Sequence, residues 1–291
     1  MAQEPQFQND VFSSYNTKDR IQTNACDMGE IPAQENHDSP IKVCVFCGGP
    51  DTTREHIISK AVQKRMQLAR VEIEIGVREE TGDGEFRNAH RLNQFVTRRV
   101  CATCNNGWMS QLEVNFLAAV GHLIEPEWPK LESDFIHEAL KQHKIIARWA
   151  VKTVITSNLA GVLKRSIPAE IAIGVRQDKL PPSLTVKLAH IRRREAIGMV
   201  INRAFWFVDG NERRWRGAES GRSFDVLFQL NHLAIRAINA PGVQLGFDVS
   251  RNAFPITAFP TANAPRIGGY SFESLDDFEK TLVARLPQKT A

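Results

Sequence analysis

Four of the five cysteines fall into two C-x-x-C pairs, Cys44/Cys47 and Cys101/Cys104. Two intervening residues permit a tight turn that aims both sulfurs at one point, and a tetrahedral zinc ion takes four such thiolates at about 2.3 Å. The chemistry expected is a shared structural Zn²⁺ on Cys44, Cys47, Cys101 and Cys104. Two other readings stay open. One is a redox C-x-x-C, although neither pair sits in a thioredoxin-type strand–helix setting. The other is four unrelated buried cysteines. Cys26 is left over and reads as an incidental free thiol.

Polar groups of a second kind stand beside the pairs. Thr53-Arg54-Glu55-His56-Ile57-Ile58-Ser59 follows the first, and Cys101-Ala102-Thr103-Cys104-Asn105-Asn106-Gly107-Trp108 contains the second. A neutral imidazole with a pKa near ~6.5 can take a proton from water at neutral pH. Carboxylate and amide oxygens suit a hard cation such as Mg²⁺ or Mn²⁺. Each residue also has a plainer reading: His56 as a structural or surface group, Asn105 as a helix cap, Trp108 as core packing. Arg98 and Arg99, next to the second pair, could contact phosphates or simply be solvated.

The ordered set C-V-F-C, E-H-I-I and C-A-T-C-N-N-G-W resembles the zinc-stabilised branch of the HNH endonuclease superfamily, whose core is a ββα-metal hairpin and helix. The resemblance spans residues 41–112. Farther on, CNNGWMS followed by long helices, including ARWAVKT at 147–153, resembles a bacterial subgroup with a large C-terminal extension. The resemblance implies His56 as general base, with Glu55 and Asn105 as ligands of a catalytic Mg²⁺ or Mn²⁺. It also implies a DNA substrate, double-stranded first, cut to 3′-hydroxyl and 5′-phosphate ends.

The chain departs from the family pattern in several places. Asp or His is commoner where Glu55 stands. The position three residues after Asn105, often His or Lys, is Trp108, which cannot bind a metal. The loop-tying Asn of the family has Asn93 as its best match and Asn88 as the next. The 44 residues between His56 and Cys101 exceed a minimal ββα core and imply an insertion. A competing expectation is a catalytically inactive zinc module that binds nucleic acid or a protein partner.

Such a site needs elements to position it. Neighbouring residues of a strand point to opposite faces, so Glu55 and His56 can border one cleft only if the strand is twisted or bulged. The run IKVCVF at 41–46 reads as a short strand turned by Gly48-Gly49-Pro50, Ile57–Leu68 as a helix or helical turn, and Val71–Val77 as a strand. Apolar residues from Trp108 to Leu123 recur at helical spacing, with Gly121 as an interruption. One helix is expected from about Asp134 to Leu159, capped by Ser133 or Asp134. Strands are expected at 183–191, 197–208 and 224–230, the last passing into a helix at 231–239. A closing helix is expected at 274–286, capped by Ser274.

The fold class expected is α+β: a ββα-metal, treble-clef-like module at 41–112, then a helical and antiparallel-sheet body at 113–291 of unassigned role. The first 40 residues carry two basic and seven acidic side chains and read as a disordered acidic tail. The remainder is basic, at +3 over 41–110 and +6 over 111–291, which permits nucleic-acid binding without demanding it. Hydrophobic residues at 42% and charged residues at 24% exclude a wholly disordered or fibrous chain. No run approaches the roughly 20 apolar residues of a bilayer span, and MAQEPQFQND lacks the basic start and apolar core of a secretory signal. A cytoplasmic protein with reduced thiols and no membrane association is the expectation. Nothing in the sequence assigns an oligomeric state. The basic runs Arg192–Arg194 and Arg213–Arg216 read as solvated faces, with DNA-backbone contact as the minority reading.

Overall fold

The computed structural model describes residues 43–68, 72–78, 85–126, 132–160, 167–202, 204–208, 214–218, 224–240, 244–247, 256–259, 271–280 and 282–285. The expected acidic tail at 1–40, Cys26 and the TGDG loop at 81–84 lie outside them. The chain is α+β, and residues 37–291 form one compact unit.

In chain order the elements begin with β1 (Thr52–His56), α1 (Lys60–Arg65), β2 (Glu72–Arg78), β3 (Glu85–Arg91) and β4 (Val96–Cys101). Then come the single turn α2 (Ala102–Cys104), a wide π-type turn at Asn105–Met109, and α3 (Ser110–Val120). The body continues with α4 (Glu132–Lys141), α5 (His143–Leu159), α6 (Ala169–Gln177), β5 (Leu184–Asn202), β6 (Ala204–Val208), β7 (Arg214–Ala218) and β8 (Phe224–Asn239). It ends with β9 (Gln244–Phe247), β10 (Ile256–Phe259), β11 (Ser271–Phe272), α7 (Leu275–Lys280) and β12 (Leu282–Arg285).

Several expected elements take a different form. The described part of IKVCVF is a tight turn, not a strand. Its backbone groups close on each other, Cys44 N–H to Gly49 O at 2.8 Å and Gly48 N–H to Cys44 O at 2.8 Å. Gly48 sits at φ 71°, a left-handed conformation that a side chain would strain. The single long helix breaks at Gln142, whose φ of −107° is not helical. There the His143 ring donates from Nδ1 to Leu140 O at 2.8 Å, occupying a carbonyl that a continuous helix needs. The first half begins at Glu132, ahead of the expected caps.

The greatest differences are in the sheets. The two expected strands at 183–191 and 197–208 include one continuous strand, β5, and residues 231–239 continue β8 rather than turning helical. Asn231 absorbs the irregularity in left-handed geometry at φ 53°, donating to Ile124 O at 2.6 Å and accepting from Arg194 at 3.1 Å. An apolar run buried on both faces has no period that separates strand from helix. The closing helix is only α7, capped by Ser274, whose Oγ accepts from Asp277 N at 3.2 Å. The chain then forms β12, which pairs with β6 in parallel and with β9 antiparallel.

The sheets are mixed, which corrects the antiparallel expectation. β8 lines one edge of β5 from Leu184 to Asn202. The other edge is shared by β10 (antiparallel), β11 (parallel) and β2 (parallel). The β2–β3 hairpin, inserted between the cysteine pairs, is thus built into the sheet of the body. Phe116 of α3 stacks on Trp149 of α5 at 4.2 Å, and Trp149 meets Phe228 of β8 edge-on at 6.5 Å, so helices and sheet share one core. A smaller cluster under α7 covers the opposite face.

A titratable group lies inside this body. His190 of β5 is nearly buried, its Nδ1 is 2.7 Å from Ser271 Oγ, and its ring stacks on His232 at 5.3 Å. Burial first, then the charges of His232 and Arg192, lower its pKa to about 4. Between the unfolded value near ~6.5 and the folded one, the unfolded chain binds the extra proton, so stability falls as pH drops through that window, by up to ~1.4 kcal/mol per pH unit. Urea midpoints measured from pH 7 to pH 4 should show this slope in wild type and a flatter one in His190→Gln. Parallel curves for the two proteins would exclude it.

Candidate metal centre and active site

The first cysteine pair sits in the turn before β1; in the second, Cys101 ends β4 and Cys104 ends the single turn α2. β1 and β4 pair antiparallel and carry the two knuckles together. Val45 N–H donates to Arg99 O at 3.0 Å, pinning the first knuckle to β4. Cys101 caps α2, its Sγ accepting from Cys104 N–H at 3.4 Å.

The four sulfurs lie within 4.8 Å of one another. Cys47 and Cys101 are 3.5 Å apart, far beyond a disulfide bond of ~2.05 Å. The edge of a tetrahedron of sulfurs at 2.3 Å from zinc is about 3.8 Å. The cluster therefore fits a structural metal such as zinc. Gly49 completes the cradle: its N–H donates to Cys47 Sγ at 3.4 Å, and a Cβ there would sit 3.3 Å from the same sulfur. Burial raises the Cys101 pKa, but the Cys104 N–H and the neighbouring thiols outweigh it and bring the value to about 7. Burial holds Cys104 well above the ordinary thiol range. Trp108 packs edge-on against Phe46 at 5.1 Å and under the Arg148 guanidinium at 5.3 Å, joining the knuckles to α5.

The β1–β4 ladder slips by one residue. Thr53 faces Val100 but Glu55 faces Thr97, so the extra residue lies in β4, at Arg98–Arg99 opposite Arg54. The extra residue is thus on the partner strand, and β1 has no bulge that would turn Glu55 and His56 toward one cleft. Glu55 and His56 are in regular register, opposite Thr97 and Val96, and leave the strand on opposite sides.

The Glu55 side faces the helices. Its nearly buried carboxyl lies where the Asn105 side chain and the His56 backbone N–H each lower its pKa. Burial raises its pKa most, Lys152 opposes this, and Glu113 adds to it. Asn105 Nδ2 also donates to Thr53 Oγ1 at 3.2 Å, and Thr53 Oγ1 donates to Val100 O at 3.2 Å. The Asn105 side chain therefore crosses to β1, and no side chain caps α3. The His56 ring faces the other way. Burial and then the charges of Lys60 and Arg54 lower its pKa, which favours the neutral ring, and its buried Nδ1 has no hydrogen-bond partner.

The remaining expected residues divide. Arg98 is exposed on β4, while Arg99 donates from Nε to Val43 O at 3.4 Å. Asn93 lies on a 3₁₀ turn at Leu92–Gln94, and Asn88 on β3; both side chains lie outside the described residues. Among the described residues, no group of three or more His, Cys, Asp or Glu besides the four cysteines is arranged to hold a metal.

Sequence reasoning missed a buried polar group behind Glu55. Glu113 of α3 accepts from Ser59 Oγ at 2.9 Å, from Trp149 Nε1 at 3.0 Å and from Lys152 Nζ at 2.5 Å. The signal was a lysine inside an otherwise apolar helix, ARWAVKT, since a lysine is almost never fully buried unless paired. Among the described residues no helix is long and apolar enough to cross a membrane. No protein-family model matches the chain, and neither a curated protein nor a solved structure matches it.

Proposed function

We propose that this chain is a cytoplasmic, metal-dependent endonuclease of the HNH type, which hydrolyses phosphodiester bonds of double-stranded DNA. The observation that carries the reading is the place of Asn105, just after the cysteine cluster, on the Glu55 side of β1, where its Nδ2 donates to Thr53 Oγ1 at 3.2 Å. In this reading the knuckles, hairpin and α3 are a treble-clef-like ββα-metal module, zinc on the four cysteines holds it, and the C-terminal extension is that of the bacterial subgroup.

The residues divide the work. Glu55, through its carboxylate, and Asn105, through its amide oxygen once its Nδ2 leaves Thr53, would hold Mg²⁺ or Mn²⁺. The bound cation supplies neutralisation of the phosphate and of the leaving oxygen. His56 takes a proton from water through its other ring nitrogen, since Nδ1 is buried. That water attacks phosphorus, the P–O3′ bond breaks, the leaving 3′ oxygen takes a proton from solvent, and the strand ends in a 3′-hydroxyl and a 5′-phosphate. Arg54 and Lys60 add positive charge beside the His56 ring.

A second reading has an observation of its own. Glu55 and His56 leave β1 on opposite faces, and this geometry suits a zinc module that binds DNA or a protein without cutting. One experiment separates the two. Supercoiled plasmid incubated with zinc-loaded wild-type protein should be nicked with Mn²⁺ or Mg²⁺ and remain intact when those ions are omitted. DNA bound tightly but left intact under every divalent ion would favour the second reading.

A further inference from the structure

The cysteine centre is open on one side. Cys47 is exposed, whereas Cys44, Cys104 and Cys101 keep only 1%, 2% and 6% of their surface. Four aimed thiolates suffice for structural zinc, and burial of all four would keep them inert. The two least covered sulfurs come from different knuckles, and Cys47 Sγ and Cys101 Sγ are 3.5 Å apart. Gly49, itself only half-buried, borders both. A Cβ there would lie 3.3 Å from Cys47 Sγ and 3.9 Å from Cys101 Sγ, and within 4 Å it would meet no other atom beyond its chain neighbours. The missing side chain leaves a window over this pair.

The other two sulfurs are held differently. Cys44 is locked in the turn that its own N–H closes on Gly49 O and Gly48 N–H closes on its carbonyl, each at 2.8 Å. Cys104 ends α2 inside the core that contains Trp149.

We propose that the metal centre is also an oxidation site: hydrogen peroxide modifies Cys47, Cys101 resolves the product as a disulfide between the two knuckles, and the metal leaves. The inference rests on the four cysteines holding zinc. In the first step the Cys47 thiolate attacks one peroxide oxygen, the O–O bond breaks and hydroxide departs, leaving a sulfenic acid. The Cys101 thiolate then attacks the Cys47 sulfur, the S–O bond breaks and a second hydroxide departs. Solvent protons turn both hydroxides into water. The two sulfurs together lose two electrons, and the peroxide gains them. Closing from 3.5 Å to a disulfide bond of about 2.05 Å brings the sulfurs about 1.5 Å nearer. Zinc then keeps only Cys44 and Cys104, half the set a structural site takes, and is released. A dithiol reverses the bond by exchange.

The test uses the full-length protein, reduced, zinc-loaded and freed of excess metal and reductant. Zinc release under hydrogen peroxide is followed with a chromogenic chelator. The cysteines are mapped by mass spectrometry with and without dimedone, which traps a sulfenic acid. Dimedone should label Cys47 first among the four. Without it, the single zinc of the cluster should be lost as a Cys47–Cys101 cross-linked peptide pair appears, and dithiothreitol with added zinc should restore the starting state. Gly49→Ala closes the window but keeps its N–H for Cys47, so it should hold zinc and release it at least about threefold more slowly, since oxidation follows exposure. First labelling of Cys44, Cys101 or Cys104 would overturn the proposal, as would a disulfide within either C-x-x-C pair or to Cys26. Release from Gly49→Ala as fast as from wild type would overturn it too. If Gly49→Ala fails to hold zinc, the labelling and cross-link maps of wild type decide alone. Zinc held through a large excess of peroxide overturns this proposal and leaves the metal centre standing. Protein that neither carries nor takes up zinc overturns the metal centre, and the proposal falls with it.

Discussion

Cys47→Ser is expected to destabilise the protein about as strongly as Cys104→Ser, although Cys47 is exposed and Cys104 is buried. Without a metal the two should differ. An exposed substitution away from special features changes stability by about 0.5 kcal/mol or less, whereas burying a hydroxyl in place of a thiol is costly. With zinc, each sulfur is one of four ligands, and loss of any one removes a large part of a binding energy that is folding energy, apparent values being ~10–16 kcal/mol for small zinc modules. A loss on the order of 5 kcal/mol would unfold a domain of ordinary stability. The effect should spread beyond the knuckles, because Cys44, Phe46, Cys101 and Cys104 belong to the same core as Trp149 and Phe228. Thermal unfolding followed with zinc analysis checks this. A Cys47→Ser protein that melts like wild type, or wild type purified with no zinc, would remove the metal from the account.

The cysteine cluster was legible because C-x-x-C is a local signal whose geometry hardly depends on the rest of the chain. The helical stripe from Trp108 was legible for the same reason: a period of three to four over a dozen residues has one simple solution. Residues 231–239 had no such signal. They lie between α5 on one face and α7 on the other, so side chains are buried at nearly every position, apolar Leu233–Ile235 and Ala237–Ile238 beside polar Asn231 and Arg236, and the alternation of a strand disappears. Sheet order was equally hidden, since β5 exchanges partners along its other edge from β10 to β11 to β2. Within the site, Glu55, His56 and Asn105 stood next to the cysteine motifs. Glu113 and Lys152 did not, and only the packing of α3 on α5 brings them behind Glu55. The bulge at Arg98–Arg99 marks the limit of local reasoning: a single cleft for Glu55 and His56 required an irregularity in β1, and the pairing puts it in β4 instead.

His56→Ala carries the second large expectation. The ring is only partly buried and its Nδ1 has no partner, so its removal should cost little stability. Loss of a general base typically lowers the rate by about 10²–10⁴-fold. The variant should therefore keep its zinc, its fold and its affinity for DNA while losing cleavage. Glu55→Gln should lose cleavage through the cation instead, with a raised requirement for Mn²⁺. The most direct measurement is the plasmid-nicking rate of zinc-loaded wild type and His56→Ala side by side at saturating Mn²⁺. The account predicts nicking by wild type and a rate at least about a hundredfold lower in the variant, with DNA binding unchanged. Equal rates in the two proteins, or no nicking by wild type under any divalent ion, would contradict it.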